Sequence, residues 1–207
     1  ASNSRLQGAT MKAGSIALLL LSLFLASGLV VVAETPVTFR VLATTKTSTM
    51  EKELNESVDV GFRMDKVMGG DTEFGGSEVV VVMSKKKDAP AVKKYSYKLL
   101  ATSRTSTMEK ELNQAGAEGF NYVDQTVFKT AFAGEEVVAI LELNRENQSR
   151  IRYEYKLLAT SKTSTIQKEL QAAGDLGFSF VGVTVGKTAY GGKEVLSILK
   201  KEVPWQD

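Results

Sequence analysis

Tyr97-Lys-Leu-Leu-Ala-Thr-Ser-Arg-Thr-Ser-Thr-Met-Glu-Lys-Glu-Leu-Asn113 decides the fold, because the chain says it three times. Residues 39–55 and 155–171 are near copies. The offset does not drift. Thr49, Thr107 and Thr165 stand 58 residues apart, and so do Gly61, Gly119 and Gly177. A fixed period identifies one folding unit present in tandem. A function that belongs to the unit must be explained three times, and a side chain found in one copy only is a poor candidate for it.

The third copy shows the grammar of the unit. Residues 153–159 alternate large apolar with polar side chains, which is a strand pattern. Residues 160–165 form a polar turn. Ser164 followed by Gln167 reads as a capping box, matched by Ser48 with Glu51 and Ser106 with Glu109. Helices are predicted over residues 49–60, 107–118 and 165–176. Each has an apolar pair on one face: Met50 and Leu54, Met108 and Leu112, Ile166 and Leu170. Gly61, Gly119 and Gly177 end them as C′ glycines. A second strand is predicted over 178–185, a turn over 186–192 and a third strand over 194–199. The fold class is α+β: three tandem βαββ repeats, each a small three-stranded sheet with one helix on one face. The third strand is placed between the other two and antiparallel to both. The first two are then parallel, joined by a right-handed crossover. Roughly 50 residues per repeat is marginal for an isolated core, so the repeats should bury area against each other.

The units run 37–83, 95–141 and 153–199, with a basic linker at 84–94, a polar linker at 142–152 and a tail at 200–207. Residues 1–10 read as an upstream extension. Residues 11–33 read as a signal peptide: Met11 and Lys12, then an apolar run from Ile16, then Val31-Val32-Ala33 before the cut. The rival reading is an anchor formed by residues 16–32. With cleavage the chain is secreted or periplasmic, with no stable membrane insertion. Residues 1–33 hold Arg5, Lys12 and no acid, so the mature part carries 24 basic and 24 acidic residues. A neutral chain lacks the footprint that nucleic-acid binding requires. There is no Cys and no His. That excludes disulfides, a Ser-His-Asp triad, a Cys nucleophile and any thiolate or imidazole metal site.

Tyr-x-Tyr-Lys followed by two apolar residues, a short helix ending Glu-Leu-Asn-x-x-Gly-x-x-Gly-Phe, and a hairpin closing on Val-x-x-Ile-Leu resemble a bacterial family of small strand-helix-strand-strand domains of unknown function. The likeness covers residues 39–83, 97–141 and 155–199. It implies the βαββ fold and no activity. The first copy departs most, with Ser57-Val-Asp-Val-Gly61 in place of Ala-Gly-Ala-Glu-Gly.

Two recurring features are candidate sites. The first is the Thr-Ser-Thr turn that opens each helix, where free amides and the helix dipole favour an anion. A cation precedes each: Lys46 with Ser48 and Thr49, Arg104 with Ser106 and Thr107, Lys162 with Ser164 and Thr165. The competing explanation is that Ser only caps the helix. The second is the hairpin loop, where an aromatic and a Glu recur: Phe74 and Glu78, Phe132 and Glu136, Tyr190 and Glu194. Such aromatics serve as anchors for an envelope protein or a glycan, or fold back on a core edge. Gly186-Lys187-Thr188 is not a phosphate loop, because Val181 occupies the position of the first glycine. Neither catalytic residues nor a cofactor or metal site is implied. The chain reads as a non-enzymatic binding or structural protein of the envelope. The alternatives are a carboxylate-based enzyme acting on a glycan and a small-ligand binder between repeats.

The export reading has a direct check. N-terminal sequencing of the exported protein is expected to begin at Glu34. Recovery of an intact Met11 in the membrane fraction would support the anchor instead.

Overall fold

The computed structural model describes residues 35–73, 76–88, 94–130, 134–146, 151–188 and 192–204. The signal segment lies outside them. The first repeat is β1 (Val37–Thr44), α1 (Thr47–Asp59), β2 (Arg63–Thr72) and β3 (Gly76–Lys86). The second is β4 (Tyr95–Thr102), α2 (Thr105–Ala117), β5 (Asn121–Thr130) and β6 (Gly134–Asn144). The third is β7 (Ile151–Thr160), α3 (Thr163–Asp175), β8 (Ser179–Thr188) and β9 (Gly192–Pro204). The sheet orders are β1-β3-β2, β4-β6-β5 and β7-β9-β8, with every neighbouring pair antiparallel. The third strand of each unit is therefore central and the first two run parallel, in the order expected.

Several boundaries shift. β3 claims Ser84 to Lys86 from the basic linker. β9 claims the tail as far as Pro204, because β7 starts at Ile151 and pairs Ile151 with Pro204. β8 runs on to Thr188, through residues expected to be turn. The second strand of each unit also has a bulge, at Asp65, Val123 and Val181, that periodicity did not show.

The helices start two residues earlier than expected, and the capping box does not form. The N-caps are Lys46, Arg104 and Lys162, with no side-chain cap hydrogen bond. The turn is closed further back. The amides of Lys46, Arg104 and Lys162 donate to the hydroxyls of Thr44, Thr102 and Thr160 at 3.2, 3.1 and 3.2 Å. That Thr turn aims the chain into the helix before Ser48, Ser106 and Ser164 are reached. The C-termini are as expected. Gly61, Gly119 and Gly177 have φ of 90°, 92° and 85°, a region open to glycine at low cost. The amides of Phe62, Phe120 and Phe178 close back onto Ser57, Ala115 and Ala173, completing Schellman motifs.

Helices α1 and α2 each lie between their own sheet and the next one. Met50, Leu54 and Val58 of α1 pack with Val79, Val81 and Met83 of β3, and also with Tyr97, Val138 and Ile140 of repeat 2. Met108, Leu112 and Ala115 repeat the arrangement with Ala139 and Leu141 on one side and Tyr155, Leu196 and Ile198 on the other. β6 is buried on both faces, its alternate residues feeding different cores. That explains why it reads as a continuous apolar run. The third core is smaller, built on Leu158, Ala173 and Leu199, because among the described residues no fourth sheet covers α3.

The helix-to-strand approach can be tested at two equivalent glycines. A Cβ on Gly116 would stand 2.1 Å from the carbonyl oxygen of Tyr153, which is backbone and cannot swing away, whereas Gly174 faces open space. Gly116→Ala is expected to destabilise by about 1–3 kcal/mol, as overpacking does. Gly174→Ala should stabilise by up to about 1 kcal/mol through helix propensity. Denaturant unfolding of the two variants checks both signs.

Candidate functional site

The two expected sites share one end of each repeat. Thr44 pairs with Val79, Thr102 with Val137 and Thr160 with Val195. The strand entering each helix thus finishes beside the start of the hairpin's second strand. Neighbouring repeats align in the same sense. The amides of Val67 and Gly69 donate to Asp124 and to the Thr126 hydroxyl at 3.0 and 2.7 Å, so β2 and β5 run in one direction. The Lys187 amide donates to Glu135 Oε2 at 3.1 Å, tying the third hairpin stem to the second. The three hairpin stems and helix N-termini therefore lie on one side of the array.

At that end Lys46, Arg104 and Lys162 are exposed, as are Ser48, Ser106 and Ser164, while Thr49, Thr107 and Thr165 are half-buried. The recurring glutamates are half-buried. Glu78 accepts from the Thr72 hydroxyl at 2.6 Å, and Glu194 from the Thr188 hydroxyl at 2.5 Å. In those two hairpins the acid closes the stem. Phe74, Phe132 and Tyr190 lie outside the described residues.

The junctions between repeats hold side chains that sequence reasoning missed. The Asn55 amide donates to the Tyr97 carbonyl and accepts from the Tyr97 amide, both at 2.9 Å. Asn113 does the same to Tyr155, at 2.8 and 2.9 Å. Glu51 accepts from the Leu99 amide at 2.8 Å, which is where the supposed capping-box acid goes. The tyrosine hydroxyls reach back. Tyr97 Oη accepts from the Met64 amide at 3.0 Å and donates to Glu142 at 2.6 Å. Tyr155 Oη accepts from the Tyr122 amide at 2.7 Å and donates to the Phe120 carbonyl at 2.8 Å. Burial, and for Tyr97 also the neighbouring Glu142 carboxylate, push both phenols far above their ordinary range. They act as hydrogen-bond donors, not as acids.

No family model, curated protein or solved structure matches the chain. The site must be read from its own chemistry.

Among the described residues, two cavities of several hundred cubic ångströms lie at the junctions. One, of about 730 Å³ between repeats 1 and 2, is lined by Phe62, Arg63, Lys85, Lys94, Tyr95 and Glu146 among others. Most of its charges are engaged. Arg63 holds Glu142 through two bonds of 3.0 and 2.8 Å, which raises its pKa further. Lys94 pairs with Glu146 at 2.9 Å, and Lys85 donates to the Val60 carbonyl at 3.1 Å. The other, of about 310 Å³ between repeats 2 and 3, brings Thr105 and Ser106 together with Glu109 and Glu169. Among the described residues no group of three acids is placed to hold a metal ion. No described helix is long and apolar enough to cross a membrane.

The clue to the junctions was present in the near-copies. Asn55 and Asn113 become Gln171, and Tyr97 and Tyr155 are preceded by Phe39. No described repeat follows Gln171, which bonds Asp175 at 2.9 Å on the surface. Asn113→Ala is expected to cost about 1–3 kcal/mol, because it leaves both backbone groups of Tyr155 without their partner. Gln171→Ala should stay within about 0.5 kcal/mol. Equal losses at the two positions in chemical denaturation would count against the clasp.

Proposed function

We propose that this chain is a non-enzymatic repeat scaffold of the cell envelope, secreted or periplasmic, built from three copies of the domain family it resembles. Its hairpin end engages an envelope protein or a glycan. One observation carries the reading: the three hairpin stems and three cation-led helix N-termini lie on one side of the array. Equivalent loops multiply weak contacts only when they can meet one partner together, and this alignment satisfies that condition. The other recurring polar groups, Asn55 with Asn113 and Tyr97 with Tyr155, are taken up in joining repeat to repeat. They support the part of the reading that concerns a scaffold.

A second reading has one observation in its favour. Glu109 and Glu169 line the same cavity beside the α2 N-terminus, and Glu169 Oε2 is buried without a hydrogen-bond partner. Two carboxylates across a cleft are the parts that glycoside hydrolysis uses. Release of sugar from isolated cell-wall material by the native protein, lost in Glu169→Gln, would establish this reading over the first.

For the scaffold, the triple variant F74S/F132S/Y190S is expected to stop co-sedimenting with purified cell-wall sacculi or envelope vesicles. Its Tm should move by less than about 3 °C, the equivalent of ~1 kcal/mol for a chain of this size. If the native protein binds neither material, or if the triple variant unfolds, the aromatics are not the contact surface.

A further inference from the structure

Among the described residues the array ends with two halves of a junction uncovered, one at each end. Inside the chain the same contact is made twice: a helix and the inner face of one sheet cover the outer face of the next sheet. Repeat 1 has nothing described before it, and its outer face carries Val37, Phe39, Val41 and Met68, all exposed. Phe39 is 66% exposed, whereas Tyr97 and Tyr155 at the same position of the unit are 3% exposed. Repeat 3 has nothing described after it. Phe180 and Val183 on its inner face are each 54% exposed, whereas their counterparts Met64 and Val67 are 5% exposed. These faces match in kind, one shaped as the outer half of the junction and the other as the inner half.

We infer that copies of this chain associate head to tail, with the α3 and β8 face of one copy covering the outer face of the repeat 1 sheet of the next. The occupant is a second copy because the chain already builds this interface twice, and the contact continues the same stack. The side chains change in the direction the contact needs. Tyr122 and Gln125, on the covered inner face of repeat 2, are replaced in repeat 3 by Phe180 and Val183. A terminal repeat that only capped the array would turn polar on its uncovered face, and this one turns apolar at Phe180 and Val183. The ion pair Arg63–Glu142 of the first junction corresponds to Ser179 and Ser84, so the ends meet there without a charge to desolvate. A head-to-tail contact uses two different faces and does not stop at a dimer unless the array closes into a ring.

The inference needs only the two end faces and stands apart from the partner reading of the hairpin end. The test uses the full chain and two single substitutions, Phe39→Glu for the head and Val183→Glu for the tail, followed by sedimentation velocity over about two decades of concentration. The native protein should rise past the dimer mass as concentration increases. Each variant alone should stay monomeric. An equal mixture of the two should form a dimer and nothing larger, because one variant keeps only its open tail and the other only its open head. A native protein that stays monomeric overturns the inference. So does a variant that still associates as the native protein does, or a mixture that remains monomeric. If either variant lacks native far-ultraviolet circular dichroism, Val41→Glu and Phe180→Glu form a second pair read in the same way.

Discussion

Two asparagine side chains set the register of the whole array. Asn55 and Asn113 each offer a donor and an acceptor to both backbone groups of one tyrosine in the next repeat. A carboxamide used this way copies the paired bonds of an adjoining strand at one residue. It therefore occupies the outer edge of β4 and of β7, edges that would otherwise present unpaired backbone groups. The far edge of the preceding sheet is managed by the same tyrosine, whose hydroxyl takes the amide of Met64 or of Tyr122. Asp124 and Thr126 take the next two outward amides of β2, at Val67 and Gly69. Two small sheets thus close each other's edges with side chains, and a shift by one residue would leave all of these groups unsatisfied at once.

That register makes the burial work. A three-stranded sheet with one helix hides one face, and the other face stays wet unless a neighbour covers it. Sharing each helix between two sheets solves this for repeat 2, where Val138 and Ile140 enter one core and Val137, Ala139 and Leu141 the other. Fully burying one such aliphatic side chain stabilises by about 1.5–3 kcal/mol. The same helix positions show the gradient along the chain: Leu54 and Leu112 are buried, and Leu170 is half-buried. The third repeat is the one whose stability depends most on its neighbour.

Much of the architecture was legible because it depends on local pattern. The constant offset gave three units, alternation gave the strands, and Gly61, Gly119 and Gly177 marked the helix ends that their positive φ requires. The central place of β3, β6 and β9 is one of the orders that one hairpin and one crossover per unit permit, and it is the antiparallel pairing with both neighbours that decides it. The helix starts were misread because Ser-x-x-Glu has the spacing of a capping box, while the Thr two residues before each cation closes the turn first. In repeat 1 the acid of that pattern is drawn to Leu99 of the next unit, a partner no local window can contain. The bulges escaped notice because one extra residue hardly alters an apolar count. At the hairpin end, the sequence pointed to the recurring glutamates but not to their Thr72 and Thr188 partners across the stem.

The junction residues were visible only as differences between copies. A residue repeated in every unit reports what the unit needs to fold. A residue that changes in the last or first unit reports what the unit needs from a neighbour. Asn to Gln at 171 and Tyr to Phe at 39 are changes of the second kind: the first moves the carboxamide one methylene further out, where it bonds Asp175 of its own helix, and the second removes a hydroxyl, both where no described repeat remains to receive them. The internal junctions thus combine apolar area with buried polar pairs, which cost desolvation but permit one alignment. The two ends keep the apolar area and lose the tyrosine hydroxyl, at Phe39, and the ion pair, at Ser84 and Ser179. Contact through them would gain its free energy from burial, which is non-directional. The end-to-end contact inferred above is thus looser in register than the junctions within the chain, and the identity of its partner rests on matching shape and not on charge.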